Sequence, residues 1–191
     1  MVDGREEPEV AESVMAKLFV ALELSTQAKA ELIRIQPAAR SGLRLPEASQ
    51  LHVTLHYLGE VEVGRAVEAL NAFSSRAFEI DLEGVGQFPS QDGAVTLWAG
   101  VKRGEGIMDL HRGIASALSV MDFRPEAREF RPHVTVGRFA PGIAGDGVDN
   151  FLEANARFSL ASIPVASFAL YSSRFVGNAP VYTREREFRL A

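Results

Sequence analysis

The chain contains no cysteine, which removes disulfides, thiolate nucleophiles and cysteine-ligated metal sites and leaves the redox compartment undefined by this criterion. Lysine is nearly absent, occurring at Lys17, Lys29 and Lys102 alone. Positive charge is therefore carried by arginine, whose planar guanidinium suits bidentate contact with phosphate. There is no excess of that charge: 20 Lys and Arg stand against 25 Asp and Glu, a formal net charge of -5. This excludes a general nucleic-acid binder held by a broad basic surface, but leaves room for a small arginine-lined phosphate pocket. Also missing are an apolar run long enough to span a bilayer and the basic opening of a signal peptide, since the sequence starts MVDGREEPEVAE. A cytoplasmic protein with no membrane partner is expected. Histidine is scarce, with four in 191 residues, and their placement is the most informative feature.

Two of the four open a His-x-Thr motif, His52-Val53-Thr54-Leu55 and His133-Val134-Thr135-Val136, 81 residues apart. Chance would supply about 0.1 such matches in a chain of this composition. The β-branched and apolar neighbours favour extended backbone, in which side chains two apart share a face. His52 and Thr54 then point one way and Val53 and Leu55 the other. Strict alternation adds Gln50 and His56 to the first polar face and Arg131 to the second. Core packing gives no reason to repeat the polar residues, so the pair of strands is expected to form a site.

Around these strands the pattern is regular. Residues 1–16 are charged and contain Pro8, and are expected to form a flexible N-terminal extension ahead of a single domain over 17–191. A buried strand over 18–24 leads to Ser25 or Thr26, either of which can cap a helix over 27–36 with Leu32 and Ile33 facing the core; Pro37 ends it. A loop through Gly42 and Pro46 delivers the first motif strand, followed by a helix over 61–75 and a half-exposed strand over 78–86. The second half offers a strand over 94–101 and a helix over 106–120 with Ile107, Leu110, Ile114 and Leu118 in one stripe. The second motif strand follows, then a short helix over 149–156, strands over 158–160 and 165–171, and a closing strand over 180–190. Strand, helix, motif strand, helix, strand thus occurs twice, an internal duplication whose pseudo-two-fold axis would bring the motif strands face to face about a cleft.

Two imidazoles facing one cleft can divide proton transfer between them. Each titrates near pH 6.5 when unperturbed, so surroundings that separate the two values leave one as a base and one as an acid. The Thr54 and Thr135 hydroxyls can donate hydrogen bonds to phosphate oxygens, with Arg131 as the added positive charge and His56 as a further candidate. His111 is expected at the helix surface, Arg138 and Arg174 in solvent or in salt bridges, Tyr171 in packing, and Phe88 either tucked into the core or stacking on a base. Neither motif supplies a third metal ligand, so no metal and no cofactor are expected.

The segments LFVALEL, LHVTLHYLGEV, GQFPS with VTLWAGV, FRPHVTVGRF, and FALYSSRF with PVYT, in this order, resemble the 2H phosphoesterases of the RNA 2',3'-cyclic phosphodiesterase type, also called 2'-5' RNA ligases. The resemblance runs over nearly all of 17–190. It implies a bilobal α+β fold, with antiparallel sheets lining a central cleft and helices outside. It also implies a catalytic centre without metal, in which His52 is proton donor and His133 proton acceptor. The substrates implied are RNA ends or small cyclic nucleotides, handled by a monomer, and the reaction is hydrolysis of 2',3'-cyclic phosphodiester ends to 2'-phosphomonoesters. Alternatives are 2'-5' ligation of RNA ends, action on another small cyclic nucleotide, and a binding module without turnover. The chain departs from the family in lacking the Trp often found before His52 and an Arg at Ala94 or Val95.

Overall fold

Residues 14–177 and 179–191 are described by the computed structural model. β1 (Met15–Glu23) begins two residues before the expected boundary, because Met15 and Ala16 pair with Glu62 and Val61. Residues 1–13 of the expected extension lie outside the described residues. The Ser25 hydroxyl accepts the Ala28 N–H at 3.2 Å and so caps α1 (Thr26–Arg34). Ala28 and Leu32 of α1 are buried, but Ile33, expected in the core, is 37% exposed. Consecutive residues sit about 100° apart around a helix, so the stripe that buries Leu32 turns Ile33 outward.

The two-residue β2 (Leu43–Arg44) was not anticipated; a 3-10 turn over Ala48–Gln50 then enters β3 (His52–Glu62). α2 (Val63–Asn71), β4 (Phe78–Pro89), β5 (Val95–Val101), α3 (Glu105–Leu118), β6 (His133–Phe139), α4 (Gly147–Ala154), β7 (Ser159–Val165), β8 (Ser167–Val176) and β9 (Ala179–Arg189) complete the chain.

The strands run β7-β4-β5-β6-β3-β1-β8-β9, each antiparallel to its neighbours, with β2 added to β6. Two four-stranded lobes, β3-β1-β8-β9 and β6-β5-β4-β7, meet where Val53 of β3 stands opposite Val134 of β6. The pseudo-two-fold axis passes beside this pair and relates β3 to β6, β1 to β5, β8 to β4 and β9 to β7. Each half of the chain hands strands across: β4 follows α2 yet pairs with β5, and β8 returns to β1. The α+β duplication with antiparallel sheets is thus present, with an exchange of strands between its halves.

Alternation separates the two faces of each lobe. Leu18, Val20 and Leu22 of β1 and Leu97, Ala99 and Val101 of β5 join Leu70 of α2 and Ile107, Leu110 and Ile114 of α3 in one apolar core. The opposite faces look into the cleft. Two β-bulges decide what that face carries. In β3 Leu55 is the extra residue, since Ala21 opposes Thr54 and Val20 opposes His56. In β6 the extra residue is Val136, because Trp98 opposes Thr135 and Leu97 opposes Gly137. The bulges fall at equivalent positions of the two motifs. Each moves the fifth residue after its histidine, Tyr57 or Arg138, onto the cleft face, and His56 moves off it.

Candidate active site

The motif strands place their polar residues on the cleft face as the alternation predicts. An antiparallel register about Val53 and Val134 brings His52 toward Thr135 and Thr54 toward His133. All four line a single cavity of about 830 Å³. The order alternates: imidazole, hydroxyl, imidazole, hydroxyl around the pseudo-axis.

Each imidazole is held by the same device. Nδ1 of His52 lies 2.7 Å from the Gln50 carbonyl, and Nδ1 of His133 lies 2.7 Å from the Arg131 carbonyl. A carbonyl oxygen only accepts, so each Nδ1 carries the proton and donates it. Nε2 of a neutral ring is thereby left unprotonated and available to substrate. Gln50 is itself fixed, its Nε2 donating to the Pro180 carbonyl at 2.9 Å and its Oε1 accepting the Glu47 N–H at 3.0 Å.

The packing around the two rings differs. His52 sits among Phe19 of β1 (ring centroids 5.1 Å apart), Tyr182 of β9 (5.3 Å, edge-on) and Tyr171 of β8 (6.5 Å). Desolvation in this aromatic nest, with His133 and Lys29 nearby, holds its pKa down at about 4 despite the opposing pull of the Gln50 carbonyl. His133 meets the edge of Phe88 at 5.0 Å and lies 6.3 Å from Trp98. Burial lowers its pKa too, and Arg128 adds to the effect. Tyr171 stacks on Phe19 at 5.3 Å, and burial pushes its phenol up to about 12. Trp98 lies flat over Gly86, its partner on β4, where an added Cβ would overlap the indole. The Trp98 Nε1–H is buried with no acceptor among the described residues.

Arg131 lies ahead of β6 rather than within it. Its exposed guanidinium is 3.4 Å from Glu129, though the residue remains on the cavity wall and its carbonyl orients His133. His56, expected beside Thr54, is turned toward the core by the bulge at Leu55 and is 5% exposed, though it still borders the cavity. Its Nε2–H donates to the His111 carbonyl at 2.8 Å, and the two rings stack at 4.1 Å. His111 is therefore half-buried between His56 and Phe130, whose ring is 3.9 Å away. Phe88 neither joins the core nor stands free; it lines the cavity against Trp98 and His133. Arg138, expected in solvent or a salt bridge, faces the cavity on the histidine side of β6, and Ser173 lines it from β8. Tyr182 and Arg44 were missed altogether. Their place on the wall depends on strands β9 and β2 folding back from distant parts of the sequence, which no local pattern announces. Among the described residues no group of three His, Cys, Asp or Glu is close enough to hold a metal ion.

An α+β protein whose duplicated His-x-Thr strands converge on one cleft is, by fold and site together, a 2H phosphoesterase. The model of the 2'-5' RNA ligase superfamily matches residues 23–174, and the chain belongs to that superfamily. It is 30% identical over 177 residues to a protein of Archaeoglobus fulgidus named RNA 2',3'-cyclic phosphodiesterase, covering 90% of this chain and 99% of that one. A protein of the same name from Methanocaldococcus jannaschii is 27% identical over 174 residues, covering 90% and 99%. Among solved structures, E. coli LigT with 3'-AMP superposes with a TM-score of 0.70 at 23% identity, covering 93% of this chain and 99% of that one.

Proposed function

We propose that this protein hydrolyses terminal 2',3'-cyclic phosphates on RNA to 2'-phosphomonoesters by general acid–base catalysis between His52 and His133. The observation that carries the reading is the matched pair of Nδ1-anchored imidazoles opening on one cavity with a threonine beside each. The names of the archaeal relatives supply the substrate class.

In this mechanism one neutral imidazole takes a proton from water through its free Nε2, and the water oxygen attacks phosphorus. The bond from phosphorus to the 3' oxygen breaks, and the other imidazole, protonated at Nε2, gives its proton to that oxygen. The family resemblance assigns donation to His52 and acceptance to His133. His52 is neutral in the free enzyme at neutral pH because burial disfavours its charge. The negative charge of the bound phosphodiester supplies the opposing pull that protonates it. Thr54 and Thr135 donate hydroxyl hydrogen bonds to the non-bridging oxygens as charge builds there, and Arg138 on the same face adds a cation. Arg131 acts chiefly through its carbonyl, which fixes the His133 tautomer.

Joining a 5'-hydroxyl to the cyclic end would use the same centre, with the hydroxyl in place of water; the family model's description keeps this reading open. Incubating RNA with a defined 2',3'-cyclic end and resolving the products tests both. A 2'-phosphate end is expected. A 3'-phosphate end, a 2'-5' joined product, or an unchanged RNA would each overturn the proposal.

A further inference from the structure

Of the four histidines in the chain, His52 and His133 carry the proposed chemistry. The other two, His56 of β3 and His111 of α3, lie instead in a row of four rings. Phe123 meets the edge of His56 at 5.5 Å, His56 stacks on His111 at 4.1 Å, and His111 stacks on Phe130 at 3.9 Å. Burial keeps both imidazoles neutral, His111 at about 4 and His56 below its ordinary value, so the rings stack without like-charge repulsion. The bond from the His56 Nε2–H to the His111 carbonyl keys the centre of the row.

Both outer rings belong to the segment 122–132, which leads from α3 to His133. Phe123 and Phe130 are the only residues from 122 to 131 that are not exposed. Among the described residues, no backbone group of 123–131 bonds to another backbone group. The ion pairs of the segment, Arg128 with Glu126 and both Arg103 and Arg131 with Glu129, are exposed and hold little. Its chief attachment to the rest of the protein is therefore the pair of phenyl rings. Arg131, next to Phe130, supplies the carbonyl that accepts from Nδ1 of His133. In the first lobe the equivalent carbonyl is steadied by the Gln50 side chain, which bonds to Pro180 and Glu47. The Arg131 side chain makes no such bond among the described residues, its guanidinium being exposed beside Glu129.

We propose that His56 and His111 are positioning residues for His133, holding the acceptor of its Nδ1–H in place through the rings of Phe123 and Phe130. The proposal rests on the reading of His133 as one of the two proton-transfer groups. It also gives the bulge at Leu55 a task, since strict alternation would turn His56 into the cleft and out of the row.

His111→Ala tests this, because alanine suits a half-exposed helical position and the variant should fold, which thermal melting checks. Its kcat on a 2',3'-cyclic end should fall by about ten- to a hundredfold, the scale expected when a reacting group is slightly misplaced. KM should change far less. In nitrogen NMR the His133 ring should move from the Nδ1–H pattern toward the average of the two tautomers, while His52, anchored by Gln50, stays fixed. His111→Phe keeps a ring between His56 and Phe130 and should restore both readouts, which a polar contact of His111 with substrate would not allow. Phe130→Leu should reproduce the loss, and adding His111→Ala to it should lower the rate no further, because the two rings act as one unit. Unchanged His133 signals in His111→Ala, no rescue by His111→Phe, or additive losses would each overturn the positioning role and leave the hydrolysis reading intact. If the unmodified protein opens no cyclic end, the hydrolysis reading fails, and the His133 signals still decide whether the row sets its tautomer.

Discussion

The strands carrying His52 and His133 anchor their imidazoles alike, yet the two lobes surround them differently. In the first lobe Phe19, Tyr171 and Tyr182 come from three different strands and enclose His52 on several sides. In the second, Phe88 and Trp98 flank His133, and Gly86 and Gly100 keep the neighbouring surface low. The same backbone frame is present twice, and the side chains around it differ. Frame and proton affinity are therefore separable: the carbonyl behind Nδ1 fixes which nitrogen is free, and the packing around the ring sets how easily it is charged. A reaction that needs an acid and a base from two copies of one motif requires that second degree of freedom.

The largest effects should come from removing either ring. His52→Ala and His133→Ala should each lower single-turnover rates on a 2',3'-cyclic end by about 10²- to 10⁴-fold, with circular dichroism unchanged. Near-normal turnover in either variant would break the symmetry of roles on which the comparison rests.

Opening one nest tests the asymmetry itself. Tyr182→Ala should admit water to His52 and raise its pKa from about 4 back toward 6.5, with a smaller loss of rate than the histidine variants. NMR titration of the ring protons reads both histidines at once, and His133 should stay where it is. A shift of both together would mean that coupling between the rings, and not local desolvation, governs His52.

The pH profile is the next, smaller handle. Above both apparent pKa values the pair has no proton to give, and below both it has no base, so kcat/KM should follow a bell. Because burial lowers both histidines from 6.5, its maximum in the free enzyme should fall on the acid side of that value. The two limbs belong to the pair and not to single residues. A single sigmoid would show that one imidazole suffices. The smallest effect expected is none: excess EDTA should leave the rate unchanged, since among the described residues no third ligand accompanies either histidine. Loss on chelation with recovery on adding metal would overturn this.

The amino-acid pattern disclosed the site's polar face and most of the helical stripes, because two-residue alternation and the 3.6-residue turn are local properties. Ile107, Leu110, Ile114 and Leu118 are all buried, as their spacing required. Alternation failed at Leu55 and Val136, where one added residue per strand turned His56 inward and brought Tyr57 and Arg138 to the cleft. A bulge depends on the partner strand's register, and nothing in LHVTLHYLG marks it. Strand exchange was equally invisible: β4 and β8 have ordinary alternating patterns that do not say which lobe they will join. The aromatic nest of His52 went unseen for the same reason, being assembled from β1, β8 and β9.

That exchange also governs how the molecule must come into being. Phe19 pairs with Tyr171, so the sheet that backs the first histidine depends on closing a loop that spans most of the chain. Contacts of such long sequence separation are entropically expensive to nucleate and slow to form. As the polypeptide leaves the ribosome, β1 and β3 should form a two-stranded ribbon whose β1 edge stays unpaired until β8 is made. β4, β5 and β6 by contrast are neighbours both in sequence and in the sheet. The second half-site should therefore become structured early and the first late, and the interval between them is when the exposed edge of β1 most needs protection from other chains.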